Sequence, residues 1–184
     1  MIELVYETHA ISTHNERGIA TGWLPGELSE QGRELARELG RRRRDDGITA
    51  VFSSDLRRAV ETAEIAFAAS GIPVQQDERL RECNYGDLNG GSAAGVAAVK
   101  LSRIETPFPN GESYLDVVVR TREFLADLLR EHDGERVLVI AHSANRWAIE
   151  HLLHGRPLAD LIEKQFEWQP GWEYVLDEQA ATIL

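Results

Sequence analysis

Short apolar segments alternate with stretches of helical periodicity along this chain of 184 residues. The clearest of them is residues 136–141 (Arg-Val-Leu-Val-Ile-Ala), which has the continuous apolar character of a strand buried on both faces. Shorter apolar segments begin at Ile2 and Ile48, and helical patterns follow Ser29 and Asp55. Strands that alternate with helices favour an α/β fold with a mainly parallel sheet.

Composition limits the function classes that this chain fits. Its length predicts one domain over residues 1–184, and 42% hydrophobic residues suffice for a sizeable core. A net charge of −11 disfavours nucleic acid and anionic membranes as partners. No apolar run is long enough to span a membrane, no signal-like segment opens the chain, and Cys83 is the single cysteine. We therefore expect a cytoplasmic protein without disulfides.

Reactive side chains follow three of the apolar segments. His9 ends the first strand, a Ser-Ser-Asp turn after Phe52 leads to Arg58, and His142 follows the strand at 136–141. Because the carboxyl ends of parallel strands lie at one edge of a sheet, we expect these groups to meet there. Glu82, in the loop after Leu80, is the fourth candidate.

Two histidines, an arginine and a carboxyl group are suited to phosphoryl transfer. A neutral imidazole such as that of His9 can attack phosphorus and carry the group as phosphohistidine. An arginine stabilises the charge on the phosphoryl oxygens, and a second histidine at a helix start adds a donor. A carboxylic acid can protonate the leaving oxygen. This chemistry needs no metal and no cofactor, and the spacing of His9, His14 and Glu16 fits no standard metal site.

Five blocks of this sequence, in order, resemble the histidine phosphatase superfamily, which includes the phosphoglycerate mutases. They cover the segments 21–32, 53–63, 80–90, 110–113 and 137–142. The resemblance spans nearly the whole chain. It implies a three-layer α/β/α sandwich with a mostly parallel sheet, in which residues 88–112 are a candidate lid or specificity segment over the pocket.

The resemblance also implies roles for individual residues. His9 takes the place of the nucleophile, Glu82 that of the general acid, and His142 that of the second histidine. Arg58 takes the place of the phosphate-binding arginine. The other candidate contacts to phosphate or substrate come from the loops after the first and fourth strands: Thr8, Asn15, Thr21, Gly22, Ser143 and Arg146.

The opening block departs from the family, because Thr8-His9-Ala10 stands where the family has Arg-His-Gly. A second alignment puts residues 6–8 at that place and leaves no nucleophile. The spacing from His9 to Asn15 favours the first alignment. Thr8 carries no charge, so we hypothesise that Arg146 or Arg17 supplies the missing cation.

We therefore predict a metal-independent phosphomonoester hydrolase that acts on a small phosphorylated or otherwise anionic molecule and could form a homodimer. One alternative is a family member without phosphatase activity, which binds an anionic ligand or runs another acid/base reaction. A less favoured alternative is a serine hydrolase, because residues 140–145 resemble a nucleophile elbow around Ser143 without its glycines.

Several local expectations complete the sequence interpretation. The basic run at 41–44 is typical of a solvated helix end that complements the helix dipole. Residues 92–110 lack a clean period, and glycines at 91 and 95 disfavour a helix there. Residues 173–176 and 181–183 are candidate terminal strands that could run antiparallel to the rest of the sheet.

Overall fold

Five strands form one sheet in the computed structural model, which describes residues 1–164 and 166–184. The order is β3-β2-β4-β1-β5. Strands β1 to β4 run parallel to one another, and β5 runs antiparallel to β1. The strands are β1 (Ile2–Thr8), β2 (Ala50–Ser53), β3 (Val74–Gln76), β4 (Arg136–Ala141) and β5 (Trp172–Leu176). The predicted α/β fold with a mostly parallel sheet is confirmed.

Helices cover both faces of this sheet. The α-helices are α1 (Thr13–Glu16), α2 (Glu30–Arg43), α3 (Arg57–Phe67), α4 (Ala93–Val99), α5 (Tyr114–Glu131), α6 (Ser143–His154), α7 (Leu158–Glu163) and α8 (Glu178–Ile183). Val5 and Ile140 pack with Leu39 of α2 and Ala63 of α3 on one face. The opposite face carries a larger apolar cluster with α5 and α6. These three layers match the sandwich expected from the sequence.

Two expectations about local structure are wrong. Residues 93–99 form helix α4 because Ser92 caps it by accepting a hydrogen bond from the Gly95 amide, which outweighs the poor propensity of the glycine. Residues 181–183 belong to α8, not to a strand, because the Asp177 carboxylate caps the Ala180 amide. The antiparallel strand expected at 173–176 is present as β5.

Segment 88–112 packs on the core. Val96 and Phe108 are buried in the apolar cluster beneath it, and a 3₁₀ turn at Lys100–Arg103 follows α4. The Phe108 ring lies 5.2 Å from that of Tyr85. A role for this segment as a lid over the pocket stays a prediction.

The basic run at the end of α2 is not wholly solvated, which corrects the sequence interpretation. Arg43 is only 7% exposed, and its Nη2 donates to Glu7 Oε1 over 2.8 Å. Arg42 donates to the same oxygen over 3.0 Å. Because side chains alternate along β1, this pairing directs Glu7 to the face of α2 and leaves Tyr6 and Thr8 on the opposite face.

Strand register brings the candidate groups to one edge of the sheet. Thr8 pairs with Ala141, and Ser53 pairs with Ile140, so β1, β2 and β4 end almost level. The residues that follow them therefore meet at the carboxyl edge, as expected. No helix in the described ranges is both long and apolar enough to cross a membrane.

Candidate active site

His9 and His142 meet where β1 and β4 end. The His9 amide continues the strand ladder by donating to the Ala141 carbonyl over 3.0 Å. His142 is the N-cap residue of α6. The two imidazole ring centres are 5.1 Å apart. Tyr6 fixes the backbone here, because its hydroxyl donates to the His142 carbonyl over 2.6 Å.

The contacts of His9 determine which of its ring nitrogens carries the proton. Its Nδ1 lies 2.7 Å from the Ala10 carbonyl oxygen, which can only accept a hydrogen bond. Its Nε2 lies 3.3 Å from Nε of Arg58, and a guanidinium can only donate. The proton of a neutral His9 therefore belongs on Nδ1, and the Nε2 lone pair points towards Arg58.

The same reasoning assigns the protons of His142. Nη2 of Arg58 lies 3.4 Å from its Nδ1, which therefore accepts. The proton belongs on Nε2, and this buried atom has no hydrogen-bond partner among the described residues. His142 thus offers an unused donor inside the site, and an oxygen of a bound ligand could satisfy it.

Arg58 is buried between the two histidines and is held by the loop after β1. Its Nη2 donates to the Gly22 carbonyl over 2.9 Å, and its Nη1 donates to the Leu24 carbonyl over 3.3 Å. Gly22 has φ +51°, and a Cβ there would come within 1.8 Å of Oδ1 of Asn89. Glycine is therefore required where this loop approaches Asn89.

Asn15 and Thr21 are bonded within the loop. Oδ1 of Asn15 accepts from the backbone amide and the hydroxyl of Ser12, each over 2.9 Å, and closes a capping box at α1. Thr21 Oγ1 lies 3.2 Å from Nδ1 of His14. These contacts shape the loop, and a direct contact of either residue with phosphate stays a prediction.

Electrostatics keep both imidazoles neutral. Burial lowers the pKa of His9 to about 3, and the positive charge of Arg58 acts in the same direction. Burial, followed by the charges of Arg58 and His9, lowers the pKa of His142 well below its usual value. Both histidines are therefore unprotonated across the physiological pH range, as a nucleophilic nitrogen requires.

Glu82 is buried, and it lies close enough to Arg58 for their charges to interact. Its Oε1 accepts a hydrogen bond from the Cys83 amide over 2.7 Å. Burial raises the pKa of Glu82, while the Cys83 amide, Arg58 and the Ala144 amide at the start of α6 partly oppose that rise. A carboxyl group with a raised pKa holds its proton to higher pH, which suits a general acid.

Arg120 is a contributor that the sequence interpretation missed. Its Nη2 donates to the Glu82 carbonyl over 3.0 Å, and its Nη1 donates to the Arg79 carbonyl over 2.6 Å. The Glu112 carboxylate accepts one hydrogen bond from Nε of Arg120 over 3.0 Å and another from the Asn84 amide over 2.9 Å. This pair therefore ties the acid-bearing loop to α5. Its signal in the sequence was the block at 110–113, to which no role had been given.

The remaining candidates lie at the edges of the site. Thr8 is partly exposed at the end of β1, and Ser143 is the first residue of α6. Arg146 lies one turn further along α6, where its guanidinium carbon is 4.7 Å from the centre of the Trp172 ring. Arg17 is exposed in the first loop. Neither arginine is bonded to His9, whereas Arg58 is, so replacement of the missing cation stays a hypothesis.

Sequence comparison places most of the chain in one family. The profile of the family described as "Histidine phosphatase superfamily (branch 1)" matches residues 8–171, so the match begins at Thr8. A 2,3-bisphosphoglycerate-dependent phosphoglycerate mutase of Methylobacterium sp. (strain 4-46) is 36% identical over an alignment of 170 residues, and the alignment covers 83% of this chain and 80% of that protein.

Solved structures are similar over the same extent. A mycobacterial glucosyl-3-phosphoglycerate phosphatase in complex with VO3 superimposes with a TM-score of 0.78 and 30% identity, over 87% of this chain and 85% of that one. The Bacillus stearothermophilus protein YhfR superimposes with a TM-score of 0.83 and 28% identity, over 92% of this chain and 88% of that one.

Proposed function

Because the chain belongs to the histidine phosphatase superfamily, we propose that it is a metal-independent phosphomonoester hydrolase that works through a phosphohistidine on His9. The observation that carries this proposal is the double constraint on His9. Its Nδ1 faces the Ala10 carbonyl at 2.7 Å, and its Nε2 faces Arg58 at 3.3 Å. Together with a pKa of about 3, this leaves an unprotonated nitrogen directed at a cation.

In the first step, the phosphoryl group enters between the two histidines. Its oxygens accept hydrogen bonds from the guanidinium of Arg58 and from the Nε2–H group of His142. The Nε2 lone pair of His9 forms the bond to phosphorus while the bond to the leaving oxygen breaks. Glu82 gives its proton to that oxygen, so the alcohol leaves neutral.

The second step regenerates the enzyme. A water molecule attacks the phosphorus of phosphohistidine and gives a proton to the Glu82 carboxylate. The bond from phosphorus to Nε2 breaks, and its electron pair returns to His9. Phosphate leaves, and Glu82 is again protonated for the next cycle.

Replacement of His9 tests the proposal. His9→Ala should lower p-nitrophenyl phosphate hydrolysis by on the order of a thousandfold or more, and a quenched wild-type reaction should carry acid-labile phosphate on His9. His154→Ala is the matched control, because that histidine is exposed at the end of α6 and contacts Glu150. Turnover by His9→Ala at the wild-type rate would refute the nucleophile assignment.

The second candidate function is anion binding without hydrolysis, and Thr8 favours it. An arginine on a transferring phosphoryl group can be worth about a thousandfold or more in rate, and Thr8 offers no charge. Vanadate or phosphate binding without turnover on a broad phosphoester panel would establish this function instead.

A serine hydrolase has less support. His151 and His154, the histidines that follow Ser143, lie at the far end of α6, and His151 is about 12 Å further along the helix axis. Unchanged hydrolysis by Ser143→Ala would exclude this reading.

A further inference from the structure

A cavity of about 160 Å³ lies between α6, α7 and the start of β5. Three cations line it, namely Arg146, Arg156 and Lys164, and Glu167 is the one carboxylate among its lining residues within the described ranges. Arg156 donates to Glu150 over 3.1 Å, so its charge is already matched. The cavity is thus a local centre of positive charge in a chain whose net charge is −11.

Arg146 is the cation that is most available to a ligand. Its guanidinium stacks on Trp172 at 4.7 Å, which orients the planar group without using its hydrogen-bond donors. Its buried Nε has no hydrogen-bond partner in the part of the chain that the structure describes. Arg146 and Lys164 also have no carboxylate within 4.0 Å among those residues. An unmatched, oriented guanidinium favours a planar or tetrahedral oxyanion.

The cavity adjoins the candidate active site through two elements. On α6, Arg146 lies about 6 Å along the axis from His142, on the same face, and helical side chains lean back towards the N-terminal end of their helix. On the sheet, Trp172 pairs with Tyr6, and Thr8 lies about 7 Å further along β1 on the same face. Two residues that line the cavity, Arg146 and Trp172, are therefore near His142 and Thr8 respectively.

We propose that this cavity is a second oxyanion-binding site, with Arg146 as its main cation and Trp172 as the support that orients it. It takes a carboxylate or phosphate group. That group either belongs to the same molecule as the reacting phosphoryl group or is a separate small anion. Binding here does not require hydrolysis, so the site can be tested even if the proposed phosphatase activity fails.

The first experiment uses two non-hydrolysable probes, 3-phosphonopropionate and propylphosphonate, which differ by one carboxylate. Calorimetry should give at least about tenfold tighter binding of the first probe to the wild-type protein, and Arg146→Gln should abolish that difference. Arg146→Lys should retain part of it. Arg130→Gln, an exposed arginine of α5 paired with Asp127, is the matched control and should behave as wild type.

The second experiment detects a separate anion. Sulfate is titrated into a protein labelled with ¹⁵N at the indoles, with propylphosphonate present to saturate the active site. A saturable shift of the Trp172 resonance that disappears in Arg146→Gln would identify a site for free anions. Equal binding of both phosphonates, together with a Trp172 resonance that sulfate does not move, would overturn the proposal. Thermal unfolding of each variant shows whether it is folded.

Discussion

One side of the candidate active site keeps the residues of the family, and the other side departs from them. On one side, Arg58, Glu82 and His142 match the family blocks, and Arg58 and Glu82 are held by contacts from distant loops and helices. On the other side, Thr8-His9-Ala10 departs from the family, yet His9 keeps a defined orientation. The orientation of His9 and the charge beside it have different requirements. A backbone carbonyl, which any residue provides, orients His9, whereas a positive charge on that side requires a particular side chain.

The two departures on this side have different consequences. Ala10 has a negative φ, since Asn110 is the one non-glycine residue with a positive φ among the described residues. Its backbone therefore lies in a region open to all L-residues. Its amide donates to Oγ1 of Thr62 over 3.1 Å. The change from glycine to Ala10 therefore causes no strain, while the change to Thr8 removes a cation.

The largest expected effect concerns Arg58, which contacts both histidines. Arg58→Gln should lower kcat/KM for p-nitrophenyl phosphate about a thousandfold and weaken inhibition by phosphate, because the charge opposite the phosphoryl oxygens is lost. Arg57→Gln is the matched control, because Arg57 is next to Arg58 in sequence but its side chain is largely exposed and lies 3.6 Å from Glu27. Similar losses in both variants would contradict the assignment to Arg58.

A second prediction tests whether Glu7 belongs to the fold and not to the pocket. Glu7→Gln should lower the free energy of unfolding by about 3 kcal/mol, because it removes the buried carboxylate that pairs with both Arg42 and Arg43. Asp46 is then the one carboxylate among the described residues at hydrogen-bond distance from Arg43. Urea denaturation measures this change. Glu3→Gln, which breaks an exposed pair with Arg136, should cost about 1 kcal/mol or less. A Glu7→Gln variant of normal stability but higher activity would instead place that charge in the active site.

The third prediction concerns the general acid. Glu82→Gln should lower hydrolysis of an alkyl phosphate about a hundredfold, and less with p-nitrophenyl phosphate, whose leaving group needs no proton. Since burial raises the pKa of Glu82, wild-type activity should fall as pH rises through that pKa. His9, with a pKa of about 3, adds no loss above that pH.

Kinetic profiles from low to high pH provide the measurement for this prediction. The Glu82→Gln variant should lack the alkaline fall that is seen with the wild type. Glu78→Gln is the control, because Glu78 is exposed in the same loop. An unchanged pH profile in Glu82→Gln would assign the acid to another group.

The smallest expected effect concerns a variant that restores a positive charge before His9, where the sequence departs from the family. Thr8→Arg should raise kcat/KM about tenfold, because it adds a cation on the same face of β1 as Tyr6, next to the histidines. Steady-state kinetics with p-nitrophenyl phosphate measure it. A loss of activity with intact folding would indicate that Arg146 already occupies the space and supplies the charge.

Some of these features could be predicted from sequence because their signals are local. His9 and His142 each follow an apolar segment directly, and Arg58 follows the next one after a short turn, so strand ends predicted that they would meet. Arg43 gave no such signal, because its partner Glu7 lies 36 residues away. For Arg120 the block at 110–113 is a signal for its pairing with Glu112, but its contact with Glu82, 38 residues away, has none. Helix α4 was missed because a single N-cap hydroxyl outweighed its glycine.

The sequence by itself determined the order of strands and helices, since apolar periodicity is a property of neighbouring residues. It also determined that two histidines, Arg58 and Glu82 would lie near one sheet edge. Tertiary structure decided the chemical state of these groups, because tautomers and pKa values depend on contacts between distant segments. The Ala10 carbonyl and Arg58 fix the proton of His9, and burial keeps it neutral.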